Sequence, residues 1–129
     1  MKTATIETEI APDKALEAHK FFSDKIDFTT GPVELNLQIQ MGEKITIIDM
    51  REPEDFQAGH IPGAVNLPRD KWVSLAGLQR DRFNVLYCYS ITCHLAAKAA
   101  VTFTEHGFPV MEMDGGYEAW KEHDLPIEA

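Results

Sequence analysis

The chain has little cysteine, little positive charge and no long apolar run. Only Cys88 and Cys93 carry thiols among 129 residues. Two cysteines are too few for the disulfide framework of a small secreted domain, and in a reducing compartment a close pair points to reactivity rather than to structure. Lys and Arg number 12 against 21 Asp and Glu, a formal net charge of −9. Such a surface repels phosphate backbones and anionic headgroups, so neither nucleic acid nor a membrane is expected as a partner. No segment approaches the roughly 18 consecutive apolar residues of a membrane span. The opening stretch MKTATIETEIAPDK lacks the apolar core of a secretory signal, and a cytoplasmic location is the expectation.

The residues that are present have the balance of an ordinary globular domain, 44% hydrophobic and 26% charged, in a length that suits a single core. Residues 1–11 are expected to be extended or frayed. Pro12–Asp27 reads as a helix with Ala15, Ala18, Phe22 and Ile26 on one apolar stripe. That stripe is expected to dock on the chain's own core, with a second subunit as the alternative. A short helix over 32–41 ends at Gly42. KITIIDM (44–50) and FNVLYC (83–88) are short β-branched or apolar runs, the pattern of strands covered on both faces. Weaker strands are expected at 64–67 and 110–113. Helices are expected near 53–58 and 70–77, over 94–106 and over 116–122. Strands that alternate with helices imply a mainly parallel sheet with helices on both faces. Ligands on such sheets bind beyond the carboxyl ends of the strands.

Cys88 stands at one such end, in YCYSITCHLAAKAA, where a strand gives way to an alanine-rich helix. A helix N-terminus offers unpaired N–H groups and partial positive charge. Both favour a thiolate, so the Cys88 pKa is expected to fall, and a loop curled around the sulfur would form an anion cradle. A buried structural thiol at a strand end is the other reading.

Residues 49–68, DMREPEDFQAGHIPGAVNLP, supply the context. The series Asp49, Arg51, Phe56, Gly59-His60-Ile61-Pro62-Gly63-Ala64, Asn66 and Pro68 strongly resembles the signature of the rhodanese family. The closing MDGGYEAW, with Gly115, Gly116, Tyr117 and Trp120, is similar to that family's C-terminal motif. The resemblance covers about residues 28–125. It implies a rhodanese-like α/β domain over 28–129, a five-stranded mainly parallel sheet flanked by helices, preceded by an N-terminal helical extension over 1–27. It also implies sulfur transfer. Cys88 would be the catalytic cysteine. It would take the outer sulfur of a small sulfane-sulfur donor as a persulfide and pass it to a thiol acceptor such as glutathione or thioredoxin, with no cofactor. The active loop would be Cys88–Cys93, with Tyr89, Ser90, Ile91 and Thr92 at its rim and His94 following.

Against the family's common loop, this chain has Ile91 where glycine is usual, Cys93 where arginine is usual and His94 where serine is usual. No fixed cation lines the loop. Weak use of thiosulfate, a dianion, and better use of low-molecular-weight persulfides are therefore expected. Cys93 is read either as a resolving thiol or as a small residue packed at the helix start. With Cys88 it also supports an alternative function, a thiol–disulfide enzyme or redox sensor. A non-catalytic, partner-binding module is a third class. A phosphatase of the cell-cycle type, which shares the fold, needs a loop arginine, and none occurs after Arg82. Asp49 and Arg51 are expected to organise the loop that follows them, with a pocket-lining role as the alternative. His60 is expected to be a satisfied loop histidine, Trp72 and Trp120 core or rim aromatics, and no metal is expected at Cys88, Cys93 and His94. Oligomeric state is left open.

Overall fold

The computed structural model describes residues 12–129; the expectation for residues 1–11 lies outside them. The element order is α1 (Pro12–Phe28), β1 (Thr29–Thr30), α2 (Pro32–Gln40), β2 (Ile45–Asp49), α3 (Pro53–Ala58), β3 (Val65–Asn66), a 3-10 helix (Arg69–Ser74), β4 (Phe83–Tyr87), α4 (Leu95–Glu105), β5 (Val110–Met113) and α5 (Gly116–Glu122).

The five strands form one parallel sheet in the order β1-β5-β4-β2-β3. β4 is therefore the middle strand. It pairs with β2 over its whole length, Ile45 opposite Phe83 through Asp49 opposite Tyr87. The two-residue period of a strand sends alternate side chains to opposite faces. Ile48, Leu86 and Cys88 join Ala96, Ala99 and Phe103 of α4 on one face. Ile47, Val85 and Tyr87 join Leu35 of α2 and Tyr117 and Trp120 of α5 on the other. Burying an aliphatic side chain stabilises by about 1.5–3 kcal/mol, so the doubly covered β2–β4 pair is the centre of the fold.

Proline starts α1, α2 and α3, where a missing N–H costs nothing. Past α4 the chain turns at Gly107, whose φ of +85° lies in the left-handed region. Asn84, fully buried in β4, holds the approach to that strand. Its side-chain amide donates to the carbonyls of Gln79 and Pro109 at 2.7 and 2.9 Å, and its oxygen accepts from the Gln79 N–H at 2.9 Å. The tail returns to the GHIPG segment, where His60 and Glu128 exchange backbone hydrogen bonds at 2.8 and 3.0 Å.

One expectation is corrected. The apolar stripe of α1 does not dock on the chain's own core. No residue of α1 is buried, and Phe22 and Ile26 are 57% and 76% exposed. The helix leads into β1, the edge strand, and meets the sheet chiefly at β1 and β5, so most of its length has no core to pack against. Among the described residues, no helix is long and apolar enough to cross a membrane.

Candidate active site

Tyr87 ends the middle strand and hands the chain to Cys88, so the first residue of the loop is anchored in the core. The N-terminus of α5 grips it. The N–H of Tyr117 donates to the Cys88 carbonyl at 2.8 Å, and that of Glu118 to the Tyr89 carbonyl at 3.0 Å. Gly116 makes this approach feasible. Its φ is +66°, and a Cβ placed on it would lie 2.5 Å from the Ser90 nitrogen and 2.6 Å from the Tyr89 carbonyl carbon. The loop then turns back on itself, the Cys93 N–H donating to the Ser90 carbonyl at 3.0 Å. At the rim, the Ser90 and Thr92 hydroxyls stand 3.1 Å apart, and Ile91 is 77% exposed. Tyr89 leans away towards α3, its hydroxyl donating to Asp55 at 2.5 Å and accepting from the Glu52 N–H at 3.1 Å.

Cys88 is 2% exposed, and its sulfur donates to the Cys93 carbonyl at 3.6 Å. The N–H groups of Ala96, in the first turn of α4, and of Tyr89 point to it. Part of the expected cradle therefore exists, but the expected fall in the Cys88 pKa does not follow. Burial pushes the thiol up, to about 11, with the Cys93 side chain second, and the Ala96 and Tyr89 amides recover only part of that. Cys93 goes the other way. Burial opposes its ionisation, yet the Cys88 thiol and the N–H groups of Leu95 and Tyr89 outweigh it and hold Cys93 below the usual thiol value. The first proton to leave the pair therefore comes from Cys93, which is also the more exposed thiol.

Both cysteines line a cavity of about 160 Å³ together with Ser90, His94, Glu112 and Asp114. Glu112, from β5, and Asp114, just beyond it, are the residues that sequence reading missed. Burial raises the Glu112 carboxyl, and Asp114 adds to it; His94 and Lys25 pull against them. Lys25 comes from α1, 3.9 Å from Asp114. The only hint in the sequence was their position at the carboxyl end of a strand beside the GGY motif.

Asp49 and Arg51 are not part of this cavity. The buried Asp49 carboxylate accepts the Arg51 backbone N–H at 2.8 Å, its Nη2 at 2.8 Å and the Tyr87 hydroxyl at 2.5 Å. Arg51 Nη2 also donates to the Gly59 carbonyl at 2.6 Å, and its guanidinium lies 3.9 Å from the centre of the Tyr117 ring. Burial works against the Arg51 charge, but the Asp49 carboxylate more than offsets it. The pair organises the loop, and Arg51 faces a separate cavity of about 580 Å³ that also includes Lys121. His60 stacks on Phe56 at 3.9 Å and has the Phe56 carbonyl 2.8 Å from Nδ1, a satisfied loop histidine. Trp120 is fully buried, its Nε1 donating to the Pro126 carbonyl at 2.8 Å. Trp72 packs edge-on against Phe103. Among the described residues, no group of three His, Cys, Asp or Glu side chains could hold a metal ion.

A parallel sheet with a cysteine-headed loop beyond its middle strand, braced by the GHIPG and GGY segments, agrees with the comparisons. The Rhodanese-like domain family matches residues 32–123. The chain belongs to the rhodanese-like family. It is 35% identical over 94 residues to the thiosulfate sulfurtransferase GlpE of Shewanella oneidensis, covering 70% of this chain and 91% of that one. It is 38% identical over 96 residues to the HTH-type transcriptional regulator Rv0324 of Mycobacterium tuberculosis, covering 74% of this chain and 42% of the regulator. The chain thus spans less than half of that relative, and only 26% of the probable adenylyltransferase/sulfurtransferase MoeZ of the same organism. The crystal structure of the BH2092 protein of Bacillus halodurans superposes with a TM-score of 0.82 at 30% identity, covering 89% of this chain and 86% of the other. The expected rhodanese fold and its five-stranded parallel sheet are borne out.

Two outcomes follow from this geometry. At neutral pH, single-hit labelling with iodoacetamide modifies Cys93 before Cys88, and labelling of Cys88 grows as pH rises towards about 11, read by peptide mass mapping. Preferential labelling of Cys88 near neutrality contradicts the assignment. Gly116→Ala forces a side chain into the loop backbone at a strained φ, costing about 1–3 kcal/mol before any clash is counted. Urea denaturation measures this, and an unchanged midpoint would show that the clamp of α5 on the loop is not tight.

Proposed function

We propose that this chain is a sulfurtransferase that carries sulfane sulfur on Cys88. The observation that carries the reading is the place of that sulfur. It lies beyond the carboxyl end of the middle strand, with two backbone amides aimed at it and a cavity in front of it.

In the first half-reaction, Cys88 attacks the outer sulfur of a persulfide donor RSSH. The donor S–S bond breaks, RS⁻ leaves with the electron pair, and Cys88 keeps the sulfur as Cys88–S–SH. The Cys88 proton goes to the departing RS⁻, so that the donor leaves as RSH. The Ala96 and Tyr89 amides then face charge on the persulfide, as donors fixed in advance of the reaction. In the second half-reaction, an acceptor thiolate such as that of glutathione or thioredoxin takes the outer sulfur and returns Cys88. The whole cycle needs no cofactor and suits a cytoplasmic protein that contacts neither nucleic acid nor membrane. The name of the Shewanella relative, a thiosulfate sulfurtransferase, supports the reaction class.

The cavity argues for a different donor here. Thiosulfate brings two negative charges towards Glu112 and Asp114, and among the described residues that line the cavity only His94 is basic. A low-molecular-weight persulfide meets less repulsion. A thiol–disulfide enzyme or redox sensor is the second reading, favoured by the two cysteines lining one cavity; a requirement for sulfane sulfur, rather than for an oxidant alone, separates the two.

Cys88→Ser abolishes sulfur transfer from either donor in a sulfide- or thiocyanate-release assay; most of the activity surviving in that variant refutes the carrier assignment. Comparison of kcat/KM for glutathione persulfide and thiosulfate favours the persulfide. Glu112→Gln raises the thiosulfate value by about fivefold, the effect of ~1 kcal/mol of repulsion between unit charges a few ångströms apart in a water-like medium. A preference for thiosulfate in the unaltered protein overturns the donor assignment.

A further inference from the structure

A persulfide on Cys88 would sit in a narrow space with a second thiol already inside it. Cys88 and Cys93 both line the cavity of about 160 Å³. The Cys88 sulfur is buried, so an external acceptor must enter to reach it. Cys93 has already arrived. The turn closed by its N–H on the Ser90 carbonyl brings its own carbonyl to 3.6 Å from the Cys88 sulfur, and its side chain lines the same cavity as Cys88. A nucleophile held in place beside its target has an effective concentration far above that of any free thiol. Formation of an S–S bond needs Cα atoms within roughly 7 Å, and the 3.6 Å contact of the Cys93 carbonyl with the Cys88 sulfur places the backbone of Cys93 beside that sulfur.

We propose that Cys93 resolves the Cys88 persulfide, which makes the chain a sulfane-sulfur reductase that releases sulfide and is turned over by a dithiol. The inference rests on the reading of Cys88 as the sulfur carrier. After the first half-reaction, Cys93, the thiol that ionises more readily, loses its proton to water. The Cys93 thiolate attacks Cys88 Sγ. A Cys88–Cys93 bond forms, the bond from Cys88 to the outer sulfur breaks, and that sulfur leaves with the electron pair as HS⁻. The two thiols are oxidised to one disulfide, and the sulfane sulfur is reduced to sulfide. A small dithiol, or a protein with a vicinal thiol pair, then supplies two electrons and two protons to restore the thiols.

The rim has little that would guide a large acceptor. Ile91 is exposed and apolar, and the carboxylates of Glu112 and Asp114 oppose an incoming thiolate. An internal thiol avoids that approach, and HS⁻ is small enough to leave by the same opening and is driven outward by the same charges.

The test treats the reduced protein with one equivalent of glutathione persulfide, without added reductant, and reads intact mass, peptide maps and free sulfide. The expected result is a loss of about 2 mass units at a Cys88–Cys93 crosslink with about one sulfide released per chain. Cys93→Ser and Cys93→Ala instead hold a gain of about 32 mass units on Cys88 and release little sulfide. An unaltered protein that keeps the added sulfur on Cys88, with no crosslink and no more sulfide than the variants, overturns the resolving role and leaves the carrier reading standing. If neither the unaltered protein nor the variants gain sulfur or crosslink, the carrier reading falls and the resolving role with it.

Discussion

A sulfur placed beyond the middle strand of a parallel sheet is pulled two ways. The architecture aims helix amides at it, which favours its charge. The same architecture buries it between the sheet and a helix, which opposes its charge. Here burial prevails for Cys88, because it belongs to the same apolar cluster as Leu86, Ala96 and Phe103. The amides do not thereby become idle. They lower the cost of charge on Cys88, and on the proposed mechanism they stay in place when that charge moves outward onto a second sulfur. The Tyr89 amide is shared by both thiols. The pair behaves as one site with one readily lost proton, and the chemistry of the loop is that of the pair.

Such a site needs a loop that does not relax. Asp49, Arg51 and Tyr87 supply a buried core of charge and hydrogen bonds under the loop's first residue. Tyr117 ties the two halves together, since its ring carries the Arg51 guanidinium while its N–H holds the Cys88 carbonyl. A buried ion pair is weak evidence for stability, since desolvation consumes much of its Coulomb energy. Its consequence here is positional. The Arg51 contact to the Gly59 carbonyl joins the strand end to the GHIPG segment, and the tail at Glu128 closes over that segment. Sequence segments that look separate, 49–51, 59–63, 87–89 and 115–117, meet around one aromatic ring and one carboxylate.

That meeting explains what could be read from the sequence. β2 and β4 were legible because strands covered on both faces are continuous apolar runs. The helices were legible from their prolines and from the glycines that end them. β1 was not, because two threonines have no periodicity; only the pairing of Thr29 and Thr30 with Glu112 and Met113 makes them a strand. The five-strand count came from the resemblance alone. Cys88 could be placed from the strand that precedes it. Its ionisation could not, because the direction depends on how deep α4 seats the sulfur and on which way Cys93 turns. Glu112 and Asp114 were silent for a different reason. They lie about twenty residues past the loop, and it is the β4–β5 pairing that returns them to it.

The same pairing sorts the charges around the loop into two compartments. Arg51 and Lys121 face the larger cavity, on the side of Tyr89 and Tyr117. Glu112, Asp114 and His94 face the smaller one, which holds the sulfurs. Arg51 is committed to Asp49, so it cannot swing across without leaving a buried carboxylate unpaired, a large penalty. Lys25 reaches Asp114 only from the exposed α1 and at 3.9 Å, a surface pair of small energy that salt screens. The negative field at the sulfurs is therefore a fixed property of the fold, set by a strand, rather than a property of the loop. Replacement of the loop residues alone would alter the rim and leave that field in place. The proposed selectivity against anionic donors and the proposed expulsion of HS⁻ thus rest on one arrangement, carboxylates at the end of β5 beside a thiol pair at the end of β4.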